Sequence, residues 1–182
     1  MTDRSDTYRA LIDLGEQGKV NTIGVSNYTP ELIQKTIDAT HVVPAVNQVE
    51  FHPFLYQQGL LQYCDEREIR IESYCPIARA EKTKAPVLQR LAEKYQKTPV
   101  QLILRWHIEH CLIPLPRSMD PEHIKANTEI FGNYSDSPAA VGWGVTVFDF
   151  ALTEQEVEEL NSLNEGYRIV NPEKGPESWQ ED

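Results

Sequence analysis

Four short segments carry side chains suited to gripping a small polar ligand with a phosphate. They are Ser26-Asn27, Asn47-Gln48 with Glu50, Ser73-Tyr74 and Arg117-Ser118. Asn27 and Gln48 offer both donors and acceptors, as the recognition of a carboxamide requires. Tyr74 offers a face on which a planar ring can stack. Arg117 follows the apolar run Cys111 to Leu115 and its stop, Pro116. Beyond it, Asp120 suits a helix cap and Pro121 the first helical position. A cation between a strand end and a helix N-terminus is a place where phosphate is held, because backbone N–H groups and the helix dipole converge there. Each segment also has a purely structural reading. Ser26-Asn27 can be a turn, Gln48 a core hydrogen bond, Tyr74 packing, and Arg117 a solvated side chain. His52 precedes Pro53 and reads as a turn residue. His107 and His110 lie near a helix end, where stabilising the dipole is favoured over binding a metal.

The elements that must position these residues alternate. A short amphipathic helix (Tyr8 to Gln17) stops at Gly18, and Val20 to Val25 reads as a strand. Thr29-Pro30 opens a helix with Leu32, Ile33 and Ile37 on one face, and a second strand runs from Val42 to Val49. Leu55 to Arg67 is a helix with Leu60, Leu61, Tyr63 and Cys64 as core candidates, and Ile69 to Tyr74 is the third strand. Val87 to Tyr95 is helical. Thr98-Pro99-Val100-Gln101 is a capping box for a helix that buries Leu102, Ile103 and Trp106. The fourth strand, Cys111 to Leu115, leads into a helix from Pro121 to about Phe131. Residues 132–147 are rich in small residues and aperiodic, which marks a loop or insertion. Thr153 to Glu156 is a second capping box, opening a helix with Val157, Leu160 and Leu163 on one face. The polar tail from Asn164 is expected on the surface.

Strand–helix alternation implies parallel strands with helical crossovers, and near-continuous apolar strands imply a sheet covered on both faces. From the pattern alone the α/β fold is either a small doubly wound sheet or half of a (β/α)8 barrel, which in full takes about 250 residues. A half-barrel would expose two sheet edges. The chain's 182 residues suffice for one domain, and 40% apolar with 25% charged residues describes a soluble globular protein. A net charge of −11 argues against a nucleic-acid surface. The polar start, Met1 to Asp6, lacks the core of a signal peptide, and no apolar run approaches the roughly 20 residues of a membrane helix. Cys64, Cys75 and Cys111 share no metal-binding spacing, so reduced, buried thiols in a cytoplasmic protein are expected.

Taken together, GKVNTIGVSNY (Gly18 to Tyr28), PAVNQVEFHPFL (Pro44 to Leu55), ESYCPIAR (Glu72 to Arg79), KTPVQLILRWHIEHCLIPLPRSMDPEHIKANTEIF (Lys97 to Phe131) and FDFALTEQEVEELNSLN (Phe148 to Asn164) resemble the aldo-keto reductase family. The resemblance covers nearly the whole chain outside residues 132–147. It implies a (β/α)8 TIM barrel that reduces aldehydes and ketones with NADPH, sometimes NADH. By that resemblance, Ser26, Asn27 and Gln48 would hold the nicotinamide carboxamide and Tyr74 would stack under the ring. Cys75, Ile77 and Arg79 would line the pyrophosphate, Arg117 and Ser118 would meet the 2′-phosphate, and Asn127 would touch adenine.

The chain departs from the family pattern in several places. Arg117 stands where Lys is usual, His123 where Arg is usual, and Ala126 where Glu is usual. Asp120 stands where a small or hydroxyl residue is common. A carboxylate 4 Å from a phosphate charge is repelled by roughly 4 kcal/mol at an effective dielectric near 20. Asp120 is therefore compatible with NADPH if it caps its helix, and favours the NADH ribose if it faces the site. The family's catalytic Tyr, Lys, Asp and His come from its first four strands, and nothing here matches them. The resemblance thus implies that residues 1–182 form a single partial domain, the C-terminal half of the barrel with an insertion at 132–147. Such a chain would keep the cofactor half and lack the proton donor for a small carbonyl substrate. The alternative is a non-catalytic nucleotide-binding or interaction fragment that needs a partner or self-associates through its edges.

Overall fold

The structure, a computed structural model, describes residues 4–122, 124 and 150–170. Its centre is a sheet of four parallel strands in sequential order: β1 (Val25–Ser26), β2 (Val46–Glu50), β3 (Arg70–Tyr74) and β4 (Ile113–Pro114). The helices are α1 (Arg4–Glu16), α2 (Pro30–Thr40), α3 (Gln58–Asp65), α4 (Pro86–Tyr95), α5 (Pro99–Glu109) and α6 (Glu154–Asn161). Sequential order follows from the short crossovers, since each strand–helix unit returns beside the strand it left.

Local chemistry explains most boundaries. Thr29 caps α2, its hydroxyl accepting from the Leu32 amide, with Pro30 in the first turn. The two expected capping boxes are both closed, Thr98 with Gln101 at α5 and Thr153 with Glu156 at α6. β1 is shorter than the run Val20 to Val25 suggested. It packs tightly on β2: a Cβ on Gly24 would lie 2.7 Å from the Val46 carbonyl oxygen. Helix α3 starts later than Leu55, because His52 and Leu55 bridge in a tight turn that consumes the intervening residues.

Side chains alternate across the strands. Asn47, Val49, Ile71 and Ser73 face the helices and are buried, with Ile33, Leu60, Cys64, Leu102, Ile103 and Trp106 beneath them. The opposite face is not covered as expected. Gln48, Glu72 and Tyr74 are half-buried, while Ile113 and Leu115 are 43% and 41% exposed. Cys64 is the buried thiol anticipated, whereas Cys75 is half-buried and Cys111 exposed. The tail does not simply lie on the surface: the Tyr167 amide donates to the Phe54 carbonyl, and residues 169–170 reach a buried carboxylate. No described helix is long and apolar enough to cross a membrane, and no metal-ligating cluster occurs among the described residues.

Candidate functional site

Because all four strands are parallel, their C-terminal ends meet one edge of the sheet. At the usual spacing of about 4.8 Å, four strands span roughly 14 Å. Ser26 pairs in register with Gln48, Gln48 with Glu72, and Glu72 with Ile113. Three of the four predicted strand-end segments therefore share one edge, and Arg117-Ser118 follows Leu115 after Pro116; the Leu115 amide extends the β3–β4 ladder to the Ser73 carbonyl at 2.9 Å.

At β1, Ser26 Oγ donates to the Gln48 carbonyl at 2.9 Å, and the Asn27 amide donates to the same oxygen. Asn27 has φ 58°, a left-handed conformation that Asn tolerates better than most residues. Its neighbour Tyr28 is held at both backbone ends by Asn47, which donates to the Tyr28 carbonyl at 2.9 Å and accepts from its amide at 3.3 Å. Asn47 is thus a support for the turn rather than part of the exposed edge. The polar Gln48 is paired, its Nε2 donating to Glu72 Oε2 at 2.8 Å. Tyr74 donates its hydroxyl to Asn27 Oδ1 at 2.9 Å. Burial, reinforced by the nearby Glu50 carboxylate, raises the Tyr74 pKa, so this donor stays protonated at neutral pH. Asn27, Gln48, Glu72 and Tyr74 form two amide-centred pairs with hydrogen-bonding capacity left for a ligand.

Beyond Tyr74 the backbone takes unusual shapes. Cys75 has φ 49°, and the turn Ala78–Ala80 has φ values of 45°, 52° and 63°. Non-glycine residues held this way cost roughly 1–2 kcal/mol each, and such strain is concentrated at clamps for ligands. Ile77 is half-buried and Arg79 exposed within this turn. Burial and the Glu50 charge push the Cys75 thiol up, keeping it neutral. At the far end Arg117 is exposed, and Ser118 Oγ accepts from the Asp120 amide at 3.1 Å. Asp120 Oδ1 accepts from the Glu122 amide at 2.9 Å, and the Asp120 carbonyl accepts from Ile124. Asp120 is therefore a helix cap, the arrangement compatible with a phosphate beside Arg117. Asn127, His123, Ala126 and the 132–147 segment lie outside the described residues.

Three polar groups have roles that the sequence did not reveal. Glu72 is the first, visible in hindsight only as the residue opposite Gln48 in a period-two pattern. Glu50 is the second, 1% exposed. Its Oε1 lies 3.3 Å from His52 Nε2, and its two oxygens accept the amides of Ile169 and Val170 at 2.5 and 3.1 Å. Burial alone would raise its pKa; the hydrogen bonds from His52, Ile169 and Val170 outweigh burial and hold it below the usual range. This carboxylate lines a cavity of about 50 Å³ with Asn27, Gln57 and Arg168, room for one or two waters. His107 is the third. Expected only to stabilise the helix dipole, it is fully buried, with Nδ1 2.8 Å from the Ile103 carbonyl and Nε2 3.0 Å from both Ser73 Oγ and the Phe51 carbonyl. Burial pushes its pKa down to about 4 against those two carbonyls, so the ring is neutral and pins α5 to Ser73 of β3 and to the Phe51 backbone.

The profile of the Aldo/keto reductase family matches residues 1–165. Among curated proteins, 2,5-diketo-D-gluconic acid reductase B of Corynebacterium sp. (strain SHS752001) is 41% identical over 162 residues, covering 88% of this chain and 52% of that protein. Glyoxal reductase of Bacillus subtilis (strain 168) is 33% identical over 170 residues, covering 93% of this chain and 55% of its own. The crystal structure of a Bombyx mori aldo-keto reductase in complex with NADP superposes with a TM-score of 0.78 at 27% identity, over 97% of this chain and 56% of that one. A Gox0644 variant in complex with NADPH gives a TM-score of 0.79 at 30% identity, over 94% and 58%. The chain spans about half the length of the curated relatives it matches.

Proposed function

Since the chain belongs to the aldo/keto reductase family, we propose that it is the cofactor-binding, C-terminal half of a (β/α)8 carbonyl reductase, and that residues 1–182 act as one partial domain. The observation that carries this reading is the shared sheet edge, where Ser26 stands in register with Gln48, Tyr74 (in register with Glu50) reaches across to Asn27, and Arg117-Ser118 comes just after β4. Relatives solved with NADP and NADPH support the choice of ligand. Ser26, Asn27 and Gln48 hold the nicotinamide carboxamide, and the Tyr74 ring packs against the nicotinamide face. The strained turn with Cys75, Ile77 and Arg79 lies along the pyrophosphate. Arg117 and Ser118 take the 2′-phosphate, and Asn127 the adenine. Asp120, as a cap, leaves NADPH the preferred form over NADH.

The dinucleotide, when bound, supplies the hydride for carbonyl reduction. This chain's residues orient the nicotinamide and exclude water from one of its faces; the proton for the forming alkoxide must come from a group that the chain does not hold. Tyr74, occupied with Asn27, and His107, neutral and buried, are not that group. The purified 182-residue chain should therefore bind NADPH without turning over small aldehydes, and steady NADPH oxidation by the chain alone would overturn the missing-acid reading. The exposed Ile113 on the edge strand β4 and Leu115 just after it favour a second statement, that the open face and edges pair with the complementary half or with another copy. Size-exclusion chromatography showing a monodisperse monomer would refute self-association.

A further inference from the structure

We propose that Glu72 is a positioning residue that fixes which end of the Gln48 carboxamide faces the ligand; this rests on the reading of Gln48 as a nicotinamide contact. The two side chains are register partners on the half-buried face of β2 and β3, and Gln48 Nε2 donates to Glu72 Oε2 at 2.8 Å. A carboxylate at neutral pH has only acceptors, so the amide end turned toward it must be the NH2. Flipping Gln48 would set its carbonyl oxygen against a carboxylate oxygen at hydrogen-bond distance, which is repulsive. Gln48 Oε1 is thereby directed away from Glu72, as an acceptor.

The partner pair lacks this lock. Tyr74 donates to Asn27 Oδ1, but a phenol hydroxyl can also accept, so Tyr74 does not dictate the Asn27 orientation as Glu72 dictates that of Gln48. The site then has one amide of fixed polarity and one adaptable amide. A ligand carboxamide would give its NH2 to Gln48 and its carbonyl to the Asn27 amide NH2, since the Ser26 hydroxyl proton is held by the Gln48 backbone carbonyl. Glu72 thus selects a primary amide over a group of the same shape without N–H, although it need not touch the ligand.

The test is a pair of titrations, NADP+ against its 3-acetylpyridine analogue, in which a methyl replaces the NH2. For the unmodified chain the analogue should bind about tenfold more weakly, since the Gln48 acceptor loses its donor. Glu72→Leu frees the Gln48 amide to turn, and the ratio should fall below about threefold; Glu72→Asp, which keeps a carboxylate, should restore discrimination. A ratio measured within one variant cancels any general loss of folding or affinity, which a merely structural role for Glu72 would produce. A Glu72→Leu chain that still discriminates tenfold overturns the proposal, as does an unmodified chain that binds both ligands equally. An unmodified chain that binds neither overturns the cofactor reading itself, and the role of Glu72 with it.

Discussion

Protonating His107 should loosen the packing of α5 against the sheet in a pH window of its own. The imidazole is fully buried and its pKa is held at about 4, whereas in the unfolded chain it titrates near 6.5. The unfolded state therefore binds the proton more readily, and stability falls as pH drops from 6.5 toward 4. Full protonation would remove about 3 kcal/mol, at 1.36 kcal/mol per pKa unit, and about 2 kcal/mol is already lost at pH 5. With a urea dependence of about 2 kcal/mol per molar, the unfolding midpoint should move down by about 1 M between pH 7 and pH 5. Circular dichroism during urea titration at pH 7, 6 and 5 measures this. His110, whose pKa burial also lowers, contributes in the same direction. The His107 share is isolated by His107→Gln, which should be less stable at pH 7 yet flatter with pH. An equal pH slope in both chains would refute the reasoning.

Glu156 governs a more acidic window. It is nearly buried and receives hydrogen bonds from Lys94 (2.7 Å), Tyr95 (2.6 Å) and Thr153 (2.9 Å), which outweigh burial and bring its pKa to about 2. Its stabilisation is present above pH 4.5 and lost toward pH 2, and Glu156→Gln should cost about 2 kcal/mol at pH 7, read as a lower thermal midpoint. Gly24→Ala places a Cβ 2.7 Å from the backbone oxygen of Val46 and should destabilise by about 2 kcal/mol, by the same urea assay. Tyr74→Phe keeps the stacking ring but removes the donor to Asn27; NADPH affinity by fluorescence titration should fall about fivefold, with about 1 kcal/mol lost in stability.

Much of the fold was legible because its signals are local. Thr98 with Gln101, Thr153 with Glu156 and the Thr29-Pro30 start each lie within one helical turn and form as their spacing implies. Gln48 was legible because an amide in an apolar strand must find a partner. Its partner was not, since Glu72 is 24 residues away and only the β2–β3 register brings them together. Glu50 and the backbone of Ile169 and Val170 are separated by about 120 positions, so the polar tail gave no sign of its buried anchor. His107 was misplaced for a different reason. Its position near the end of α5 is visible in sequence, but the depth at which α5 packs depends on the whole sheet.

The most direct test of the cofactor account is calorimetric titration of NADPH into the unmodified chain, Gln48→Ala and Arg117→Ala. These residues stand toward opposite ends of the proposed site. If one dinucleotide runs along the strand ends, each substitution should weaken NADPH binding by about tenfold, and Arg117→Ala alone should narrow the preference for NADPH over NADH. Binding that is untouched by both substitutions, or absent from the unmodified chain, would contradict the account.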